Sequence, residues 1–143
     1  MEVIKITVKA LVSAPTKKVW EYYTSPDHII KWNFASDDWC CPSASNELFK
    51  GGRYVARMEA KDGSFGFDFE AVYNEVIPYE SFSYSMGKTL GEGRQATVQF
   101  IQKGNETEVI ITFDAENENS VDLQQQGWQA ILNQFKLYTE RID

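Results

Sequence analysis

Cysteine and histidine are scarce in this chain of 143 residues. It has two cysteines, Cys40 and Cys41, and a single histidine, His28. An ordinary disulfide does not readily join adjacent residues, because their side chains diverge along the chain, so we predict two free, half-buried thiols in a reducing compartment. A metal site of soft donors needs at least three suitable ligands, and with one histidine in the chain we predict none.

Basic residues and long apolar runs are also in short supply. The 14 Lys and Arg stand against 21 Asp and Glu, which gives a net charge of -7. Nucleic-acid affinity derives largely from the attraction between phosphates and basic side chains, so we expect no nucleic-acid partner. Lys5 and Lys9 interrupt the apolar pattern at the start of the chain, and no stretch approaches the length of a membrane span. These absences predict a cytoplasmic protein.

The short motifs of common enzymes are missing as well. The sequence contains no GxSxG, HExxH, P-loop or GxGxxG signature, so we predict no catalytic residue and no cofactor. His28 beside Asp27 is conceivable as a general base, but nothing in the sequence fixes a nucleophile or a second base near it. We expect His28 to be exposed at the start of a helix.

Aromatic residues and alternating patterns are plentiful by contrast. The chain has four Trp, seven Tyr and nine Phe, and its length is that of one domain, residues 1–143. Residues 3–12 alternate apolar and polar side chains, which is typical of a half-buried strand. Short turns separate five further alternating stretches, which favours antiparallel neighbours. Their inward sets are Tyr54, Ala56 and Met58; Phe65, Phe67, Phe69, Ala71 and Tyr73; Phe82, Tyr84 and Met86; Ala96, Val98 and Phe100; and Val109, Ile111 and Phe113.

Helical signals lie on both sides of these strands. Ser13 and Pro15 mark the start of a short helix that runs to about Thr24, and a second short helix follows at residues 27–32. Residues 34–46 look irregular. Ser120 is a plausible N-cap for one long amphipathic helix, whose apolar positions are Trp128, Ile131, Leu132, Phe135, Tyr138 and Ile142. The predicted fold class is α+β, a curved antiparallel sheet of six or seven strands wrapped round the C-terminal helix.

The inward-facing aromatic residues would line a pocket if the last helix stands off the sheet, and would fill a solid core if it does not. Periodicity does not separate these alternatives, although buried phenols favour a pocket because each hydroxyl needs a partner. The predicted ligand-binding set is Tyr54, Phe67, Phe69, Tyr73, Phe82, Tyr84, Met86, Phe100, Trp128, Leu132 and Phe135. We expect Gly127 to let the helix approach the sheet closely, with Trp128 buried there.

The edges of such a pocket are predicted from the less regular segments. Phe34, Trp39 and Leu90 are the expected entrance residues, and residues 34–46 and 87–93 are expected to be mobile. Strand alternation places Asp68, Glu70 and Glu108 on the outer face. A run of acidic residues before the last helix is expected to be solvated; it comprises Asp114, Glu116, Glu118 and Asp122.

Four segments together resemble a known superfamily. They are "SAPTKKVWEYYTSPDHIIKW" near the start, "GGRY" before the central strands, "EAVYNEVIPYESFSY" in the middle and "GWQAILNQFKLY" near the end. The chain resembles helix-grip proteins, which include START lipid-binding domains, birch-pollen-allergen-like proteins and polyketide cyclases. Within this superfamily it is most similar to single-domain bacterial proteins related to the activator of the heat-shock protein 90 ATPase.

The resemblance implies seven strands, with the extra strand near residues 39–41, gripping the last helix around a cavity suited to an apolar ligand. It implies no single reaction, since this fold hosts transporters, receptors, cyclases and co-chaperones. The family name suggests a stress-response role, but the eukaryotic activator has a separate chaperone-binding domain for which this chain has no room. We expect a binding protein for a small apolar or amphipathic molecule. The alternatives are a cyclase- or dehydratase-like enzyme and a protein-interaction module.

Overall fold

Seven strands and three helices make up residues 3–141, the part of the chain that the computed structural model describes. The elements are β1 (Lys5–Val12), α1 (Thr16–Thr24), α2 (Pro26–Trp32), β2 (Trp39–Asn46), β3 (Arg53–Ala60), β4 (Gly66–Ile77), β5 (Ser81–Met86), β6 (Gln95–Lys103), β7 (Glu106–Asp114) and α3 (Val121–Arg141). One curled antiparallel sheet has the order β1-β7-β6-β5-β4-β3-β2. The predicted α+β fold class is therefore confirmed, with seven strands.

The first strand pairs with the last, so the two ends of the chain meet in the sheet. β1 and β7 run antiparallel from the pair Lys5 and Asp114 to the pair Val12 and Thr107. The predicted alternation of β1 holds, because Val8 and Val12 are buried while Lys5 and Lys9 point to solvent. Such a register buries one apolar row along the whole pair and leaves the charged row in water.

The two short helices form where the sequence predicted them, but Ser13, which was predicted to mark the start of α1, does not cap it. Pro15 occupies the cap position, and no side chain caps the helix. Ser13 is used elsewhere: its hydroxyl donates to Glu106 at 3.0 Å, and its backbone N–H donates to Glu140 of α3 at 2.7 Å. Ser13 thus ties the end of β1 to the end of the last helix.

Residues 39–46 were predicted to be irregular and instead form the edge strand β2. The strand pairs with β3, and a bulge interrupts the register between Cys40 and Ser43. The bulge contains Pro42, which cannot donate to the ladder, and it breaks the alternation that reveals other strands. The segment is also rich in Ser and Asn, which have weak strand signals. The extra strand implied by the family resemblance is therefore present.

The long helix α3 begins as predicted. The Ser120 hydroxyl accepts a hydrogen bond from the backbone N–H of Leu123 at 3.1 Å, so the N-cap is confirmed. Leu132 and Phe135 are fully buried, and the helix packs mainly on β1, with further contacts to α1 and α2. The position of Ile142, which was predicted to continue the apolar stripe, lies outside the described residues.

Trp128 meets the sheet in a different way from the one predicted. Its ring stacks on Phe113 of β7, with centroids 3.9 Å apart and planes 11° apart, but the side chain is only partly buried. A Cβ added at Gly127 would meet nothing within 4 Å, so the prediction of close approach through this glycine is wrong. The helix is held to β7 by ring stacking at this point.

Asp114 was expected to be solvated with the other acidic residues and is instead buried, at 6% exposure. Its carboxylate accepts hydrogen bonds from the Lys5 ammonium and from the backbone N–H of Gln95. Burial acts to raise the pKa of Asp114, but these bonds and the nearby charges of Lys5 and Arg94 outweigh it and hold the pKa below its usual range. Asp114 therefore closes the β1–β7 end of the sheet as a charged, paired group.

Candidate functional site

A cavity of about 210 Å³ lies between the concave face of the sheet and α3. It exists because α3 packs on β1 and the short helices, which leaves space over the central strands. The lining residues come from eight elements and the residue that follows α2; they are Tyr23, Trp32, Asn33, Asn46, Tyr54, Met58, Phe67, Phe69, Tyr73, Phe82, Tyr84, Ile111, Trp128, Ile131 and Leu132. The apolar lining with a few polar groups is that of a small-molecule pocket, and the volume is somewhat below the roughly 300 Å³ of the smallest drug-sized sites.

Most of the predicted ligand-binding residues line this cavity. They are Tyr54, Phe67, Phe69, Tyr73, Phe82, Tyr84, Trp128 and Leu132. Strand alternation and the helical stripe pointed these side chains to the same interior, because both periodicities fix the side of an element on which a residue lies. Whether they bind a ligand remains a prediction.

Three predicted lining residues lie elsewhere. Phe100 is in the solid core, with its ring centroid 5.1 Å from that of Trp20, and Phe135 packs edge-on against Trp32 at 5.0 Å. Met86, at the end of β5, is half-buried and also outside the lining. The inward direction of Phe100 and Phe135 was correct, but α1 and α2 fill the space in front of them, which no strand or helix period reveals.

Seven lining residues were not in the predicted set. Met58, Ile111 and Ile131 follow the same alternation or helical stripe as their predicted neighbours, so that signal was available. Tyr23 and Trp32 belong to the short helices, whose packing against the sheet is a tertiary effect. Asn33 and Asn46 carry no periodic signal, since each is a polar residue at the end of an element.

The predicted entrance residues do not line the cavity. Leu90 is exposed, and its loop is tied down by a hydrogen bond from the Gly91 N–H to the Ser85 hydroxyl at 2.9 Å. Phe34 and Trp39 are half-buried outside the lining. The exposed lining residue is Phe67, at 43% exposure, so the cavity reaches the surface where β4 begins. Trp39 does approach this point, with its ring centroid 6.3 Å from that of Phe67.

Four phenols converge on the cavity, and two of them have hydrogen-bond partners in the protein. The Tyr73 hydroxyl donates to Asn46 Oδ1 at 2.6 Å, and Asn33 Nδ2 donates to the Tyr54 hydroxyl at 3.3 Å. Within residues 3–141 the hydroxyls of Tyr23 and Tyr84 make no hydrogen bond. Buried hydroxyls normally have partners, so these two are available to a polar group of a bound molecule.

The phenols stay protonated at neutral pH. Burial raises the pKa of Tyr23, Tyr54, Tyr73 and Tyr84 well above the ordinary value, and for the first three the nearby phenols raise it further. The positive charge of Arg94 opposes this effect at Tyr84. The phenols of Tyr23, Tyr54 and Tyr84 can therefore donate hydrogen bonds to a ligand, whereas Tyr73 already donates its proton to Asn46, and all four are poor bases.

Within residues 3–141 no Asp, Glu, His, Lys, Arg or Cys side chain lines the cavity. Asp68 and Glu70 lie on the outer face as predicted, where they pair with Arg57 and Arg53. Apart from the phenols, the polar groups of the lining side chains are the two amides and the indole N–H groups of Trp32 and Trp128, of which Trp32 donates to the Tyr22 carbonyl oxygen. The arrangement suits an apolar molecule with a few hydrogen-bonding atoms, and it supplies neither a carboxylate nor an imidazole as a general base.

The single histidine and the two cysteines lie outside the cavity lining. His28 is half-buried, which corrects the expectation of solvent exposure: its Nδ1 lies 2.7 Å from the Tyr138 hydroxyl, and its ring stacks on Tyr22 with centroids 3.9 Å apart. Cys40 is half-buried and Cys41 is buried, and both are free thiols. Within residues 3–141 no cluster of three or more His, Cys, Asp or Glu is placed to hold a metal ion.

The helices of residues 3–141 include none that is both long and apolar enough to cross a membrane. α3 is the longest of them, with 21 residues, and its surface alternates buried and polar positions. It behaves as a helix that covers one face of a sheet.

Comparison with known proteins places this architecture in a family. The chain is similar to an AHSA1-like protein from Aeromonas hydrophila, with 39% identity, a TM-score of 0.88, and coverage of 96% of this chain and 93% of that one. A protein from Cytophaga hutchinsonii is 45% identical, with a TM-score of 0.79 and coverage of 96% and 92%. A Chromobacterium violaceum protein shares the fold at 19% identity, with a TM-score of 0.82 and coverage of 95% and 96%.

None of the curated proteins matches the chain. The family model described as "Activator of Hsp90 ATPase homolog 1-like protein" matches residues 13–140, which include every residue that lines the cavity. With this match and the relatives above 30% identity, the chain belongs to the activator of Hsp90 ATPase homolog 1-like family.

Proposed function

We propose that this protein binds a small apolar or amphipathic molecule in the cavity between the sheet and α3. The observation that carries the proposal is the cavity itself, about 210 Å³ of space with a mainly aromatic and aliphatic lining. An empty apolar space of this size weakens a fold, because its walls lose packing contacts. A ligand that fills it restores those contacts, and the free hydroxyls of Tyr23 and Tyr84 would orient its polar atoms.

The enzymatic alternative has less support. A cyclase or dehydratase needs an acid and a base beside its substrate, and the only titratable groups in the lining are phenols held in the protonated form. A phenol can serve as an acid or as a hydrogen-bond donor, but no group of the lining accepts a proton readily near neutral pH. The lining therefore favours binding over proton transfer.

N-phenyl-1-naphthylamine is a suitable probe, since it is neutral and apolar and its fluorescence rises in apolar surroundings. We expect saturable binding to the wild-type protein and a rise in its melting temperature, because a ligand that binds only the folded state stabilises it. Ile131→Trp fills part of the cavity and should weaken binding by about tenfold or more. The matched control is Ile101→Trp on the exposed face of β6, which should bind like the wild type.

Two outcomes would contradict the proposal. One is a wild-type protein that shows no saturable probe fluorescence and no thermal shift. The other is equal binding by Ile131→Trp and Ile101→Trp with both variants folded, since the probe would then occupy another surface.

A protein-interaction role is the second candidate, and it has a specific observation in its favour. Trp39, Phe65 and Phe67 form an aromatic cluster with centroids 6.0 to 6.3 Å apart, in which Phe65 is 60% exposed. Exposed aromatic clusters are common at binding surfaces. Phe65→Ser should leave probe binding intact, because Phe65 does not line the cavity, and should weaken any partner captured through this cluster.

A further inference from the structure

A second, more open groove of about 300 Å³ adjoins the cavity. The start of α3, the loop before it and Arg94 form its walls. Phe69 and Trp128 line both the groove and the cavity, and their rings meet edge to face with centroids 6.5 Å apart. These two side chains are thus common to both spaces, and a bound molecule that displaced one ring would extend from one space into the other.

Arg94 differs from the arginines on the outer face of the sheet. Arg53 is paired with Glu70, and Arg57 with Glu59 and Asp68. The Arg94 Nε donates to the backbone carbonyl oxygen of Asp114 at 3.0 Å. Within the described residues its guanidinium forms no ion pair with a carboxylate, and its two terminal nitrogens make no hydrogen bond. A half-buried guanidinium is thus fixed in direction, with unused donors at the groove.

The neighbouring acidic groups keep their negative charge, but within residues 3–141 none of them bonds directly to the Arg94 guanidinium. The Asp114 carboxylate is already bound by Lys5 and by the Gln95 N–H. Glu116 also lines the groove, where its Oε1 accepts hydrogen bonds from the backbone and side chain of Asn119. The positive charge of Arg94 also acts inside the cavity, where it lowers the pKa of the Tyr84 phenol and so opposes the effect of burial. Arg94 is therefore close enough to interact with a ligand group in the groove or in the adjoining part of the cavity.

We propose that Arg94 binds the carboxylate of an amphipathic organic acid whose apolar body lies in the cavity. The inference rests on the proposed function and narrows its ligand class. Arginine suits this role, because its planar fork binds a carboxylate through two parallel hydrogen bonds, which are stronger than hydrogen bonds between neutral groups. Phe69 and Trp128 would contact the ligand where its chain passes from the cavity to the groove.

The test uses decanoate and 1-decanol, which share a ten-carbon chain and differ in headgroup. Each is titrated against protein loaded with N-phenyl-1-naphthylamine, and displacement of the probe gives its affinity. Arg94→Gln should weaken decanoate by about tenfold and leave 1-decanol within about twofold of the wild type. The matched control is Arg57→Gln, which removes an arginine from the outer face and should change neither affinity. Added salt should weaken decanoate alone.

A second variant makes the opposite change. Glu116→Gln removes a negative charge from the groove and retains an oxygen for Asn119, so it should strengthen decanoate and leave 1-decanol unchanged. Equal weakening of both ligands by Arg94→Gln, or a decanoate affinity that neither variant changes, would overturn the role of Arg94 while the cavity proposal stands. Failure of N-phenyl-1-naphthylamine to bind the wild-type protein would instead overturn the proposed function, and this inference with it.

Discussion

The strands at the two ends of the sheet have the same alternating sequence pattern, but their side chains are packed differently. On the side formed by β1, β7 and β6, Val98, Val109 and Phe113 are completely buried. On the side formed by β2, β3 and β4, Phe69 is half-buried and Phe67 is 43% exposed. α3 lies against β1, and α1 lies against β6 and β7, whereas the cavity occupies the space in front of β3 and β4. Alternation therefore sets the face on which a residue lies, and the position of the helices decides whether that face is filled.

The largest test of this comparison is truncation of one phenylalanine in the filled interior, where α3 packs on α1 and α2, and of one on the side of β4 that faces the cavity. Phe135→Ala should lower the free energy of unfolding by about 3–5 kcal/mol, because this ring is completely buried between Tyr23 and Trp32. Phe67→Ala should cost less than about 1 kcal/mol, since Phe67 is 43% exposed at the cavity mouth. Urea unfolding monitored by circular dichroism measures both, and equal losses would show that the two sides are packed alike.

Alkaline pH tests whether the cavity excludes water. Burial raises the pKa of Tyr23, Tyr54 and Tyr84 above the ordinary value of about 10. In the unfolded chain these phenols lose their protons near pH 10 while the folded state keeps them, so their contribution to stability is complete below that pH and is lost as the pH rises above it. The expected slope is about 1.4 kcal/mol per pH unit for each phenol.

The measurement follows tyrosinate absorbance and circular dichroism in one titration. We expect the last tyrosines to ionise together with the loss of structure. Complete ionisation of the tyrosines in a protein that remains folded would show that water enters the cavity freely.

A smaller effect is expected from removing single phenol hydroxyls, and its size should differ between Tyr73 and Tyr84. Tyr73→Phe removes the hydrogen bond to Asn46 and should cost about 1 kcal/mol. Tyr84→Phe removes a hydroxyl that has no protein partner within the described residues, so its stability should change by less than about 0.5 kcal/mol, with the effect appearing in ligand binding. Thermal unfolding of both variants checks this, and a Tyr84→Phe loss equal to that of Tyr73→Phe would mean that its hydroxyl is engaged.

The smallest expected effect concerns the thiols of β2. Cys40→Ser should change stability by less than about 0.5 kcal/mol, because the side chain is half-buried and makes no disulfide or hydrogen bond within the described residues. Burial raises the pKa of the Cys41 thiol, so Cys41 should react with iodoacetamide more slowly than Cys40. Mass spectrometry of the alkylated peptides measures the ratio. Stoichiometric zinc in the purified protein, lost in Cys40→Ser, would reveal a metal role that the sequence did not predict.

The comparison also explains how far sequence reasoning reached. The strands, α3 and the inward faces follow from local periodicity, which is why residues such as Tyr54, Tyr84 and Trp128 were assigned to the interior correctly. The missed features depend on contacts between distant segments. Asn33 and Asn46 reach the cavity only because α2 packs on β2. Asp114 can be buried as a charged group because Lys5, its partner in the pairing of β1 with β7, forms an ion pair with it.

The bulge of β2 has a consequence for how copies of the protein meet. β2 is an edge of the sheet, and unpaired backbone groups along an edge strand are a template for pairing with a strand of another molecule. Pro42 takes one donor from this edge, and the bulge between Cys40 and Ser43 twists it out of line. A strand of a second copy therefore cannot form a regular ladder of backbone hydrogen bonds along β2. The same irregularity that hid this strand from the sequence pattern disfavours edge-to-edge pairing along β2.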